Sequence, residues 1–300
     1  MVTIRDIETT QVMSLDEYVD YVQRHVDVRD YDSIEESAWA LRALAGNRSF
    51  ILDAYHAELK LCATGSTPNE HLPQSIRLHS ERDFYVRSNI WLPVTSDDIA
   101  PELQRLLYAY DMAHDHNFTF VTVGYFGPGY QTDLYQYEYS KVQGYQGERV
   151  ELESQGRHQL TPGRTMVYRA GKDIHVQRLP AEVSISLNLM CVDNSAKPTQ
   201  QFIFDVEKGV LARGAGDETS SRLSLLALLK RFNNDDTPDI LDTVLTNHPC
   251  ERTRASALNV LKEIRPADVC YFEAKASARV RALSDLPLAY GNGSRDYSRA

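Results

Sequence analysis

The chain reads as mainly β with α: antiparallel strands forming a sandwich or barrel, set between helical flanks. Three observations lead there. The middle of the chain carries six short runs rich in β-branched and aromatic residues, each closed by Gly, Pro or polar turn residues. The segments on either side space their apolar residues at helical period instead. Strands and helices do not alternate, which argues against βαβ units around a parallel sheet.

The elements follow in order. Residues 1–75 form a helical extension, in which "SLDEYVDYVQRHV" opens with Ser14 and Glu17 at capping-box spacing and "SIEESAWALRALA" repeats that signal with Ser33 and Glu36. The turn-rich "ATGSTPNEHLPQS" closes it. Residues 76–209 hold the strands: "DFYVRSNIWLPV", "NFTFVTVGYF", "TDLYQYEYSKV", "ERVELES", "TMVYRA" and "VSISLNLMCV". A helix-like insert, "DDIAPELQRLLYAYDMA", stands after the first of them, and "GYFGPGY" reads as a hairpin turn because it lacks the spacing of a phosphate loop. Residues 210–300 return to helical period in four segments, "SRLSLLALLKRF", "PDILDTVLTNHP", "RTRASALNVLKEI" and "DVCYFEAKASARVRAL", before a "GNGSRDYSRA" end expected to be disordered.

Composition narrows the function. Forty-two acidic residues against thirty-two basic ones give a net charge of −10, which repels a phosphate backbone and an anionic membrane surface alike. No nucleic acid or membrane partner is expected. No run of apolar residues is long enough to span a bilayer, and "MVTIRDIETTQVMSLDEY" places charges where a signal peptide needs an apolar core, so the expected location is cytoplasmic. The four cysteines, Cys62, Cys191, Cys250 and Cys270, lie far apart with no CxxC pair, and read as reduced, mostly buried thiols.

The chemistry gathers on three of nine histidines. His114 and His116 stand at the entrance to a strand in "AHDHNFTFVTVGYF", and residues two apart in an extended strand project from the same face, so both imidazoles can converge on one point. His175 opens another strand after the turns at Pro162-Gly163 and Gly171. A third imidazole from a neighbouring strand completes one face of a coordination sphere and leaves the other open to substrate. Asp115, between the first two, points away if the strand is regular. His25, His56, His71, His79, His158 and His248 carry no such context and receive no role.

The His-x-His pair followed by "PG…G…H" resembles the two motifs of the cupin superfamily of small jelly-roll barrels, over roughly residues 76–192. The resemblance implies a cupin-type jelly-roll barrel with a helical N-terminal extension and a C-terminal helical region. Where most cupins place a glutamate ligand four residues beyond the second histidine, this chain has Phe120. It therefore looks more like the three-histidine subgroup, the thiol dioxygenases related to cysteine dioxygenase, which implies ferrous iron held by His114, His116 and His175. "FYVRSN" resembles that subgroup's Tyr-x-Arg-Asn segment, whose arginine grips the substrate carboxylate; Arg87 is its counterpart. A planar guanidinium suits that task because it pairs bidentately with a carboxylate.

Departures from the subgroup redirect the substrate. Ser186 matches the serine of its Ser-His-Tyr relay, but Asn188 and Met190 replace the other two members, and no cysteine follows His116 closely. The metal scaffold is thereby supported and thiol oxidation is not, which leaves a small carboxylate-bearing substrate, an amino acid or derivative, together with dioxygen. Glu138 is the nearby acid expected to reach inward as a fourth ligand or proton acceptor, if "DLYQYEYSK" is one strand with Leu134, Gln136 and Glu138 on one face. Tyr125, Tyr130 and Tyr135 are candidate pocket residues.

The reading is a mononuclear non-haem Fe(II) oxygenase. Two alternatives stay open: an isomerase, lyase or hydrolase using Mn(II), Ni(II) or Zn(II) with Glu138 as base, and a barrel that binds ligands without catalysis. Cupins often pair, which leaves a homodimer open as well.

Overall fold

The computed structural model describes residues 2–65, 74–94, 101–192 and 200–288. His71, parts of the turn-rich stretch and of the helix-like insert, and the C-terminal end lie outside them.

In chain order, β1 (Thr3–Asp6) precedes helices α1 (Leu15–His25), α2 (Tyr31–Glu36), α3 (Ala38–Gly46) and α4 (Phe50–Ala63). Next come β2 (Ser75–Ser80), β3 (Phe84–Trp91), α5 (Pro101–Leu107), β4 (Ala113–His114), β5 (Thr119–Phe126) and β6 (Gln131–Gln136). A 3₁₀ turn at Tyr139–Lys141 leads to β7 (Glu153–Gln159), β8 (Arg164–Tyr168), β9 (Asp173–Gln177), β10 (Ser184–Cys191), β11 (Phe202–Asp205) and β12 (Val210–Gly214). The chain then runs through α6 (Glu218–Leu228), α7 (Thr237–Asn247), α8 (Glu251–Ile264), α9 (Val269–Lys275) and α10 (Ala278–Ser284).

The strands form two six-stranded sheets, β1-β8-β5-β10-β3-β2 and β12-β11-β4-β9-β6-β7. Within them the orders β3-β10-β5-β8 and β4-β9-β6-β7 are those of an eight-stranded jelly roll, two interleaved Greek keys. The cupin-type barrel expected from the motifs is the fold observed.

Compactness divides the chain into two units. The first comprises Met1–Met112, Phe118–Gln136 and Glu153–Ser195. Its first sheet separates two apolar clusters by strand alternation. Phe84, Val86, Val121, Val123, Leu187 and Leu189 point outward and pack against Tyr18, Leu41 and Leu44 of α1 and α3. Tyr85, Trp91, Phe120, Met166, Tyr168 and Met190 point inward and meet Tyr130 and Leu134. Each fully buried Leu or Val contributes about 1.5–3 kcal/mol relative to exposure, so both faces are firmly specified. A one-residue slip in β5 or β10 would exchange the clusters.

The second unit comprises Ala113–Asn117, Tyr137–Leu152 and Ala196–Ala300. Its helices bury Leu241, Leu245, Leu258, Leu261, Phe272 and Val280 in one cluster. Arg252, on α8 and only 6% exposed, donates to the carbonyls of Gln143 and Val142 at 3.0 and 2.8 Å and to the Tyr139 hydroxyl at 2.6 Å. Its guanidinium also lies over the rings of Tyr139 and Phe202.

Several local expectations are corrected. The Ser14–Glu17 capping box is present, but the next helix is capped by Asp30, and Ser33 accepts a bond from the Asp27 N–H instead. Strand β6 stops at Gln136, and "ERVELES" forms no continuous strand; the polar "ESQGRHQ" pairs with β6 in its place. The last expected helix is two, divided where Ser277 caps α10 through the Val280 N–H. β12 carries strand structure past residue 209. Cys191 and Cys250 are free and buried, whereas Cys270 is exposed. No helix among the described residues is long and apolar enough to cross a membrane.

Candidate metal centre

His114 ends the two-residue strand β4, which pairs with Ile203 of β11. The next residue locks that ladder. Asp115 is fully buried; its N–H donates to the Phe202 carbonyl at 3.2 Å, and its carboxylate accepts from the Phe202 N–H at 2.6 Å and from the Tyr137 hydroxyl. Burial pushes the Asp115 carboxyl up to about 7, against those two hydrogen bonds, which favour the ionised form. With Asp115 committed to β11 and Tyr137, the flanking imidazoles of His114 and His116 meet edge to face, ring centroids 5.0 Å apart.

His175 sits in the middle of β9 rather than at its start, 3% exposed. Tyr168 and Phe120 pack against its ring at centroid distances of 5.0 and 6.0 Å. The three histidines form a group whose ligand atoms all lie within 4.8 Å of one another, and no carboxylate of the described residues belongs to it. Three imidazoles at that spacing are a donor set that suits a divalent transition metal. Side-chain amides lie beside two of the rings. The Gln201 amide lies 3.1 Å from His116 Nδ1 and donates to the Asp115 carbonyl at 3.2 Å, while the Gln177 amide lies 3.2 Å from both ring nitrogens of His175.

Arg87 stands on the inward face of β3 with Tyr85 and Trp91. Burial pulls its guanidinium below its ordinary range, against the opposing pull of Tyr85 and Tyr130, and its Nε has no hydrogen-bond partner. An arginine remains charged even so. Ser186 accepts from Trp91 Nε1 at 3.0 Å, and Asn188 lies directly across from Arg87.

Glu138 does not reach inward. Because β6 ends two residues earlier, the alternation that would have turned it toward the barrel is broken; the residue is exposed and accepts from the Ser140 hydroxyl at 2.8 Å. The tyrosines divide. Tyr130 belongs to the inner cluster, Tyr125 to the outer one, where its hydroxyl donates to the Asn47 carbonyl, and Tyr135 is half-buried. Sequence reasoning missed Gln177, Gln201, Thr122 and Asn89. Alternation from Trp91 and Phe120 would have placed Asn89 and Thr122 on the inner face; nothing in the sequence marks Gln201.

No family model matches the chain, and no curated protein matches it in sequence. Solved structures resemble part of it in fold. One is a salicylate 1,2-dioxygenase from Pseudaminobacter salicylatoxidans, at 11% identity over 48% of this chain and 33% of that one, with a TM-score of 0.26. Another is a hydroquinone 1,2-dioxygenase, at 11% identity over 42% of this chain and 68% of that one, TM-score 0.28. A third is a sugar phosphate isomerase of the cupin superfamily from Silicibacter pomeroyi, at 12% identity over 46% and 74%, TM-score 0.25. The chain thus spans about a third of the length of the first of these. Its own strand order is that of a cupin-type barrel, and its three-histidine cluster could hold a metal ion.

Proposed function

We propose that this chain is a mononuclear non-haem iron(II) oxygenase acting on a small substrate that carries a carboxylate. The observation that carries the reading is the convergence of His114, His116 and His175, with no carboxylate of the described residues among them. Three neutral imidazoles leave the full dipositive charge of an ion uncompensated, which favours an anionic substrate. Ferrous iron, when bound, supplies redox chemistry toward dioxygen.

The protein's part is binding and orientation. Arg87 holds the substrate carboxylate through its planar fork and so positions the reacting atom. Phe120 and Tyr168 shield His175 from water, and the hydrogen bonds of Asp115 to Phe202 and Tyr137 fix the backbone between His114 and His116. Exposed at the turn, Glu138 has no part in this mechanism.

The test is metal content of protein purified without chelators, wild type beside His175→Ala, followed by oxygen uptake with carboxylate substrates. Near-stoichiometric iron in the wild type, lost in the variant, is the expected result. Absence of any transition metal from both, even after anaerobic Fe(II) loading, overturns the proposal. Bound Mn, Ni or Zn with turnover but no oxygen uptake would replace it with a metal-dependent isomerase or lyase.

A further inference from the structure

Buried polar atoms without a partner are rare in folded proteins, because each one left dry costs free energy that a hydrogen bond would recover. Among the described residues, four of them lie side by side on one sheet. Arg87 on β3, Asn188 on β10 and Thr122 on β5 are direct cross-strand neighbours, and residues opposite one another in antiparallel strands project from the same face. Arg87 Nε, Asn188 Nδ2 and Thr122 Oγ1 are each sealed from solvent with no partner among the described residues, as is Oδ1 of Asn89, two residues along β3. Thr122 is 0% exposed, Asn188 3% and Asn89 6%. Tyr85, Trp91, Phe120 and Met190 of the inner cluster share that face.

We propose that this row seats the substrate and selects a small hydroxycarboxylate. The inference rests on the function proposed above and narrows its substrate. The Arg87 Nε–H, the Asn188 amide and the Thr122 hydroxyl are donors that converge on a carboxylate, whose charge answers the guanidinium. Asn89 Oδ1 is an acceptor, and it takes the proton of a neutral hydroxyl on the same molecule. An ammonium there would stand beside the Arg87 cation with no acid in the row to balance it. Specificity follows from the unpaired groups themselves: a ligand lacking either function leaves one of them dry.

The experiment uses the isosteric variants Thr122→Val and Asn188→Leu, with glycolate, glycine and acetate as probes. It reads melting temperature, calorimetric affinity and metal content. Exchanging an unpartnered polar atom for an apolar one of similar shape is neutral or stabilising, so of the two variants unliganded Thr122→Val, which removes only such an atom, should melt at or above the wild type. Each should bind glycolate about tenfold more weakly, the cost of one charge-assisted hydrogen bond, with metal content unchanged. Wild-type protein should prefer glycolate over both glycine and acetate. Lower melting with undiminished glycolate binding would mean that the row is structural and would overturn the proposal; equal or tighter glycine binding would overturn the hydroxyl assignment. The two readings fail separately, since a chain without metal that still loses glycolate in the variants keeps the seat and loses the oxygenase, and the converse holds.

Discussion

Arg252→Met is the substitution whose cost the structure lets one work out. The guanidinium holds three acceptors, two of them main-chain carbonyls in the 139–144 segment, and no carboxylate among the described residues pairs with it. Hydrogen bonds from a charged donor contribute roughly 1.5–3 kcal/mol each, which sets the gross loss. Against it stands the several-kcal/mol penalty of keeping a cation out of water, which methionine removes. The net is about 3 kcal/mol of destabilisation, a fall of roughly 6–12 °C in melting temperature. Arg252→Lys should recover only a small part, because an ammonium cannot fork to three acceptors. Thermal melts by circular dichroism, with urea titration as a check, measure this. A second readout follows from Tyr137, which donates to Asp115 two residues before the Tyr139 that Arg252 holds: under the proposed function the variant should lose metal faster to a chelator. An Arg252→Met protein that melts with the wild type would refute the reasoning, showing the two carbonyls to be satisfied by other means.

Two further outcomes are expected. Gly129→Ala should destabilise by more than about 2 kcal/mol, because the residue has φ +82° and an added Cβ would lie 1.9 Å from the Leu160 carbonyl oxygen; a denaturant midpoint equal to wild type would contradict the strain. Gln201→Leu removes the amide that donates to the Asp115 carbonyl between His114 and His116, so under the proposed function it should lower metal affinity by about tenfold; competition against a fluorescent chelator that finds an unchanged affinity would contradict this.

How far the fold was legible depended on how each residue met solvent. Strands β3, β5 and β10 are buried or half-buried along nearly their whole length and rich in β-branched and aromatic residues, so they stood out even with polar residues among them. Strand β7, with Gly156 and largely exposed side chains, carries little hydrophobic signal, and its polar "ESQGRHQ" looked like a loop. Reading "TDLYQYEYSKV" as one strand failed because Tyr137 leaves the ladder to bond Asp115, a tertiary contact that no periodicity reveals. The three histidines were legible because a His-x-His pair and a Pro-Gly turn mark them locally, although β4 ends at His114 and His116 lies beyond it. By contrast, the polar row on the inner face is spread over three strands brought together only by register, which spacing along a single chain does not report.

The helices over the first sheet also bear on self-association. Val121, Leu187 and Leu189, each wholly buried, lie on an outer face already occupied by α1 and α3. Two copies could stack back to back through that sheet only by peeling the helices away, which would strip the outer cluster of its cover. If mass measurement finds a dimer in solution, its seam lies elsewhere on the molecule, and a crosslink between two copies at β5 or β10 would instead report a chain that has begun to come apart.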